Sequence, residues 1–286
     1  MKRKIVLIGP GVVGCAIGQL LHRAGYPIAA IIGRNLAKTE EAARFIGCDA
    51  QLATLDLQAA RHGDILLLAL PDDQLIDFSA SLHREVSLAA GRTLIHFSGL
   101  HLAEIMAPQH SGTGLLSIHP LLPFADRQMA IENLKNCPCA IEGDTDQQSL
   151  GRELVAALGG EAFILPSDAK ATYHAAACIA SNFMVSLTAC ARDLLLDCGF
   201  DKQQAMQLLG PIQRATCTNI LTLGPEQALT GPIVRGDAGT VATHLQLLEK
   251  KSPQLAELYR GLGRVSLQLA QKSGRLTVAQ AKKIKL

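Results

Sequence analysis

The sequence predicts an α/β chain, with a doubly wound, mostly parallel sheet first and an all-helical C-terminal domain after it. Three observations predict this. Short apolar runs alternate with amphipathic helical stretches over residues 1–166, and a glycine-rich turn joins the first run to the first helix. Beyond Pro166 the remaining segments read at a period of about 3.6 with no convincing strand among them. The chain has 286 residues, 48% of them hydrophobic and 18% charged, so it carries enough apolar surface for two cores and is not a disordered chain.

Taken in order, Lys4–Gly9 is the first strand and Val12–Ala24 the first helix, closed by Gly25. Ile28–Gly33 is the second strand and Ala37–Phe45 the second helix. Ile65–Leu70 is a buried strand followed by a helix near Asp73–Leu88. Thr93–Phe97, Leu115–Ile118, Cys139–Glu142 and Ala162–Leu165 complete the strands. Their uniform apolarity, without in–out alternation, belongs to strands covered on both faces. After Pro166, Asp168–Asp197, Asp201–Leu223, Asp237–Lys250 and Pro253–Lys272 read as helices. Ser167 followed by Asp168 suits an N-terminal cap, and Gly199 suits a stop. The expected domains are therefore 1–166 and 167–286.

Composition removes several function classes. Lys and Arg number 27 against 25 Asp and Glu, a net charge of +2, which gives no electrostatic footprint for nucleic acid or an anionic membrane. Aromatic residues are 3% with no Trp, which argues against stacking on unpaired bases. The basic start at Met1–Lys4 runs into an apolar stretch that Gly9-Pro10-Gly11 interrupts, so it reads as a strand and not a secretory leader. Residues 175–191 are uncharged but contain Ser181, Asn182, Ser186 and Thr188, which fits a buried or interface helix better than a membrane span. Eight scattered cysteines without a Cys-x-x-Cys pair point to reduced thiols in a cytoplasm. Nine histidines without ligand spacing give no metal site.

Gly9-Pro10-Gly11-Val12-Val13-Gly14 matches G-x-G-x-x-G where a strand meets a helix, inside a βαβ unit of about 30 residues. Gly9 permits the tight turn, Gly11 lets a dinucleotide pyrophosphate approach the backbone, and Gly14 lets helix and strand pack closely. The helix start at Val12, Val13 and Gly14 offers free N–H groups and a positive dipole end to phosphate. At the end of the second strand a carboxylate would hold a ribose 2′-hydroxyl, but Arg34 stands there, with Asn35 and Lys38 nearby. A guanidinium grips a 2′-phosphate, so the cofactor expected is NADP(H); the alternative is that Arg34 is a solvated loop residue. Leu70-Pro71 and Ser98 end later strands and should line the ligand crevice, as should His119. Ser98 serves either the nicotinamide side or a helix cap, and His119 either substrate or the core.

The Gly-Pro-Gly-Val-Val-Gly loop, Gly33-Arg34-Asn35, Leu70-Pro71-Asp72-Asp73, His96-Phe97-Ser98-Gly99 and Ser117-Ile118-His119-Pro120 resemble a family of two-domain Rossmann-like proteins with a helical C-terminal domain, long catalogued as of unknown function. Ala169–Ala177, Ala180-Ser181-Asn182-Phe183 and Leu229–Asp237 carry the resemblance through the second half. More distantly the chain is similar to the 6-phosphogluconate dehydrogenase-like superfamily, which includes hydroxyisobutyrate dehydrogenases, pyrroline-5-carboxylate reductases and ketopantoate reductases. The resemblance implies a reductase, with an alternative type of ketopantoate reductase as its most specific form, and a homodimer joined through the helical domains. Hydroxyacid dehydrogenases of that superfamily carry a catalytic Lys with an Asn one turn later. The match here is Lys170 with His174 in place of Asn. Pyrroline-5-carboxylate reductases use small hydroxylated residues further along, near Ser181.

Lys170 and His174 lie four residues apart, on one helical face, and Ser181, with Asn182 beside it, returns toward that face. Reduction of a carbonyl needs a proton donor, and a Lys whose pKa is lowered by burial and by a neighbouring His suits that task. Arg235, next to Asp237 after Gly231-Pro232, either holds a substrate carboxylate or makes a salt bridge across a dimer. The expected protein thus reduces a small-molecule carbonyl compound bearing a carboxylate. A cyclic-imine reductase and a non-catalytic NADP-binding sensor or scaffold are the alternatives.

Overall fold

A computed structural model describes residues 1–107 and 112–286 of the chain. The first βαβ unit is β1 (Ile5–Ile8), α1 (Val12–Arg23) and β2 (Ile28–Ile32), followed by α2 (Leu36–Ile46) and the two-residue β3 (Ala53–Thr54). Next come β4 (Ile65–Leu68), α3 (Asp72–Glu85), β5 (Thr93–His96), β6 (Gly114–Pro120) and α4 (Arg127–Asn133). The last members are β7 (Pro138–Gly143), α5 (Gln148–Ala157) and β8 (Glu161–Ile164). The strands form one sheet in the order β3-β2-β1-β4-β5-β6-β7-β8. Neighbours run parallel except β6 and β7, which pair antiparallel from Leu116 opposite Gly143 to Pro120 opposite Cys139. The chain direction across the sheet reverses between β1 and β4, and such a switch point opens a crevice beyond the strands' carboxyl ends.

Pleating divides the core. Ile5 and Leu7 of β1 join Ile17, Leu21, Ile46 and Leu154 on one face of the sheet. Val6 and Ile8 join Leu75, Leu82 and Met106 on the other. Successive side chains of a strand point to opposite faces, so a strand buried on both must be apolar throughout, as Ile-Val-Leu-Ile is. The sequence reading passes over β3, α4 and α5. Helix α5 hides because Gly151 interrupts its pattern; a Cβ there would stand 3.1 Å from Ile141, so close packing on β7 calls for glycine against helix propensity.

The helices after β8 are α6 (Lys170–Ala180), α7 (Asn182–Asp197), α8 (Lys202–Leu223), α9 (Pro225–Ala228), α10 (Ala238–Lys251), α11 (Pro253–Lys272) and α12 (Val278–Ala281). The single helix expected over Asp168–Asp197 is broken at Ser181, where Ser and Asn, whose side chains compete for backbone groups, follow one another. The chain forms two compact units, residues 1–182 and 183–286. Helix α6 therefore belongs with the sheet, beyond the boundary read at Pro166. The second unit has its own small core of Val241, Leu245, Ala270, Leu276 and Ile284. Its α8 opens with a reciprocal cap between Asp201 and Gln204. The stretch 167–197 is long and apolar enough to cross a membrane, and none of its apolar window is buried within the chain.

Candidate active site

At the carboxyl end of β1, Gly9 adopts φ +83°, a left-handed turn, and a Cβ on it would meet the Ala69 carbonyl oxygen at 2.5 Å and the Leu70 side chain at 2.8 Å. Gly14 is equally confined: its Cβ would stand 2.5 Å from the Gly9 carbonyl oxygen and 3.1 Å from Ala69. Gly11 is different, since a Cβ there meets nothing within 4 Å and opens onto free space. The first backbone bond of α1 runs from Cys15 N–H to the Gly11 carbonyl. No side chain caps this helix and no acid stands in its first turn. The N–H groups of Val12, Val13 and Gly14 thus face outward as a ready anion cradle, with Leu70 packed against the loop.

Beside this loop, at the end of β2, Arg34 and Lys38 are exposed. Asn35 caps α2, its Oδ1 accepting the Lys38 N–H at 3.0 Å. The nearest acids are turned elsewhere, Glu40 toward Arg44 and Glu41 toward Arg127. The end of β2 therefore presents cations and no carboxylate, a fit to a phosphorylated ribose and a poor fit to a bare 2′-hydroxyl. Pro71 stands in the turn after β4 and precedes Asp72, the first residue of α3.

The ends of β5 and β6 meet the start of α6 in a polar cluster. Lys170 is 2% exposed at its side chain; its Nζ donates to Glu142 Oε2 at 3.1 Å and to Ser117 Oγ. Glu142 Oε2 also accepts the Ala103 N–H at 2.9 Å, and Oε1 accepts the Ser167 hydroxyl at 2.9 Å. Ser117 passes its own hydroxyl proton toward the Ser98 carbonyl at 3.2 Å. Burial lowers the Lys170 pKa, and Glu142 and then Asp72 oppose that shift; the expected contribution of His174 is absent from the balance. Ser167, expected to cap the helix, is spent on Glu142 instead. Ser98 caps no helix; its Oγ accepts the N–H groups of Leu100 and His101 at 3.1 and 2.9 Å and so closes a local turn.

Two histidines sharpen the picture. His96 Nδ1 accepts the Ser98 N–H at 3.1 Å, and Nε2 faces the Leu102 carbonyl at 3.1 Å, so the ring carries its proton on Nε2 and is neutral. Burial, then Lys170, pushes its pKa down to about 3. His119 Nδ1 lies 2.9 Å from Tyr173 Oη, and burial, followed by His174 and Lys170, lowers its pKa to about 4. His174 stacks edge-on to His119 with ring centres 5.9 Å apart. A Cβ on Gly99 would lie 2.4 Å from His174 Nδ1 and 2.8 Å from His119 Nε2, so only glycine admits both rings.

The fold thus brings Lys170, His174, His119 and Ser98 together within one unit. Ser181 and Asn182 follow at the break after α6. Arg235 and Asp237 lie in the second unit, where Asp237 caps α10 through Thr240 N–H at 3.0 Å and Thr240 Oγ1 at 2.7 Å. Sequence reasoning missed Glu142, Ser117, Tyr173 and Gly99. Glu142 had a signal: a carboxylate closing the apolar run Cys139-Ala140-Ile141 needs a buried partner, and Lys170 supplies it.

Residues 1–120 match the model of a Rossmann-like domain, and residues 137–265 match that of a domain of unknown function, DUF2520. The chain thus carries a Rossmann-like domain followed by a DUF2520 domain. No curated protein matches the sequence. Among solved structures, a Bacteroides fragilis protein named provisionally as an NADP oxidoreductase is 22% identical, with a TM-score of 0.78 over 93% of this chain and 98% of that one. Protein TM1727 from Thermotoga maritima is 26% identical, with a TM-score of 0.71 over 94% and 98%. The 1-pyrroline-5-carboxylate reductase of Streptococcus pyogenes is 18% identical, with a TM-score of 0.63 over 95% and 99%. These likenesses extend the shared architecture of the Rossmann-like DUF2520 chain over nearly its whole length.

Proposed function

We propose that this Rossmann-like DUF2520 protein is an NADP(H)-dependent oxidoreductase that reduces a small carbonyl compound bearing a carboxylate, with 2-dehydropantoate (ketopantoate) as the most specific candidate. One observation carries the reading: an uncapped helix start behind an open Gly11, flanked at the end of β2 by the exposed cations Arg34 and Lys38. In this reading the N–H groups of Val12, Val13 and Gly14 hold the diphosphate, and Arg34 holds the 2′-phosphate. The cofactor supplies hydride when bound. The protein's share is to position the acceptor and supply a proton. Lys170, fixed by Glu142 and Ser117, keeps a positive charge beneath the strand ends rather than reaching substrate itself. The likeness to a 1-pyrroline-5-carboxylate reductase favours a second reading, reduction of a cyclic imine acid.

The reading also includes a homodimer. Phe183 and Val185 of α7 and Leu208, Ile212 and Leu221 of α8 are exposed in the single chain, and a second copy is the occupant that the helical domain's resemblance implies. The eight free cysteines suit a reducing cytoplasm.

Titration calorimetry with NADPH and NADH tests the cofactor claim. The wild type should prefer NADPH, and Arg34→Asp should cost NADPH at least about tenfold in affinity while leaving NADH nearly unchanged, the scale of one lost charge-assisted phosphate contact. Equal losses on both would remove Arg34 from the phosphate role. A panel of 2-oxo acids and cyclic imines, followed by NADPH absorbance, then separates the two substrate readings.

A further inference from the structure

Lys170 is held in an ion pair below the surface, so the proton for the reaction comes from elsewhere in the cluster. His119 and His174 face the same point beside Gly99, and Tyr173 backs His119. Both nitrogens of His174 are turned toward protein. Its Nδ1 is buried without a hydrogen-bond partner, and its Nε2 faces Cys178 Sγ at 3.7 Å. His119 has one nitrogen engaged, Nδ1 with Tyr173 Oη at 2.9 Å, which leaves Nε2 for another partner. Tyr173 is itself wedged edge-on between rings, 5.5 Å from His119 and 6.1 Å from Phe163.

We infer that His119 is the catalytic acid, donating from Nε2, and that Tyr173 is its positioning residue, holding the ring and its tautomer from Nδ1. The inference rests on the reductase reading above. The argument is one of donors and acceptors. Burial pushes the Tyr173 phenol up to about 12, so it keeps its proton and donates to Nδ1 of a neutral imidazole. A neutral ring that accepts at Nδ1 carries its hydrogen on Nε2, toward Gly99. As the carbonyl carbon gains a hydride, its π pair moves onto oxygen. That oxygen takes the Nε2 proton, the N–H bonding pair stays on the ring, and Nδ1 takes the Tyr173 proton. Afterwards Nε2 takes a proton from a solvent hydronium and Nδ1 returns its proton to the phenolate, which restores both starting forms with one solvent proton consumed per carbonyl reduced. Burial, with His174 facing it across Gly99, disfavours a positive charge on His119 and keeps the ring neutral between turnovers.

The test uses the full-length protein with two readouts. In 15N-histidine NMR of the cofactor-free protein, wild-type His119 should show the Nε2–H tautomer, and Tyr173→Phe, which retains the packing ring, should mix the two tautomers. In turnover, Tyr173→Phe should lower kcat by about 10-fold and His119→Gln by about 100-fold, both leaving NADPH affinity unchanged. The solvent isotope effect should lose its second proton in Tyr173→Phe, a change that lost packing alone would not produce. An Nδ1–H tautomer in the wild type, or full turnover in His119→Gln, overturns the assignment while leaving the reductase reading intact. A wild type that binds NADPH yet turns over no carbonyl or imine overturns the reductase reading and the assignment with it.

Discussion

In residues 1–182 every central strand is covered on both faces, and even a lysine is taken inside and matched with a carboxylate, two serines and a backbone amide in its neighbourhood. In residues 183–286 the situation is reversed. Val185, Ile212 and Leu221 stand outward at 69%, 64% and 88% exposure, while the buried core is a handful of aliphatic side chains near α10 and α11. The first unit has finished its burial within one chain, polar groups included. The second has not, and its apolar face is surplus until something covers it. The proposed chemistry gathers in the unit whose side chains are already fixed, because a reacting group needs a rigid surround before a substrate arrives.

The comparison breaks most severely if the first unit's polar interior is opened. Glu142→Ala leaves the Lys170 ammonium buried and unpaired, and removing one member of such a pair costs about 3–5 kcal/mol. Urea unfolding should show that loss. Glu142→Gln, which can still accept from Lys170 and Ala103, should lose clearly less. If the two variants were equally mild, Lys170 would have a solvent route that its 2% exposure denies.

The residues explain which parts of this were legible beforehand. Gly9, Gly11 and Gly14 could be read because a turn, a phosphate approach and a close packing each leave a local mark in sequence, at fixed spacing. The strands could be read because both-sided burial demands unbroken apolar runs. Glu142 is marked in the sequence as an acid closing an apolar run, but its partner 28 residues away is not, and Ser117 and Tyr173 gain their meaning from partners 53 and 54 residues away. The four-residue spacing puts Lys170 and His174 on one helical face, yet it says nothing of what lies opposite. The sheet sends one to Glu142 and the other to Gly99. The break at Ser181 was lost for a related reason, since an apolar helical period continues across it.

The second unit offers a smaller effect of opposite character. Ile212→Asp and Leu221→Asp should leave the unfolding free energy of the isolated chain within about 0.5 kcal/mol, since neither side chain is buried in it. Association should weaken by about 2 kcal/mol or more if these residues anchor a two-fold interface. Sedimentation equilibrium decides it. A wild type that stays monomeric at high concentration, or a variant that dimerises as well as wild type, would show that the exposed face of α8 serves no second copy.

Acid titration gives the gentlest probe, and it returns to the first unit. His96 and His119 are lowered in the folded protein from 6.5 to about 3 and about 4, each chiefly by burial. Below pH 6.5 the unfolded chain therefore binds protons that the folded chain refuses. Their contribution to stability is fully present above that pH and is lost as pH falls toward the folded values. Each ring contributes a slope of about 1.4 kcal/mol per pH unit within its window, so the pair should act together between roughly pH 6 and 4. Stability measured by denaturant at successive pH values should fall accordingly, and His119→Gln should halve the slope near pH 5 while leaving the His96 part in place. A slope unchanged in that variant would mean that His119 titrates like a solvated ring, and the burial of the two rings against Gly99 would then lose its main physical consequence.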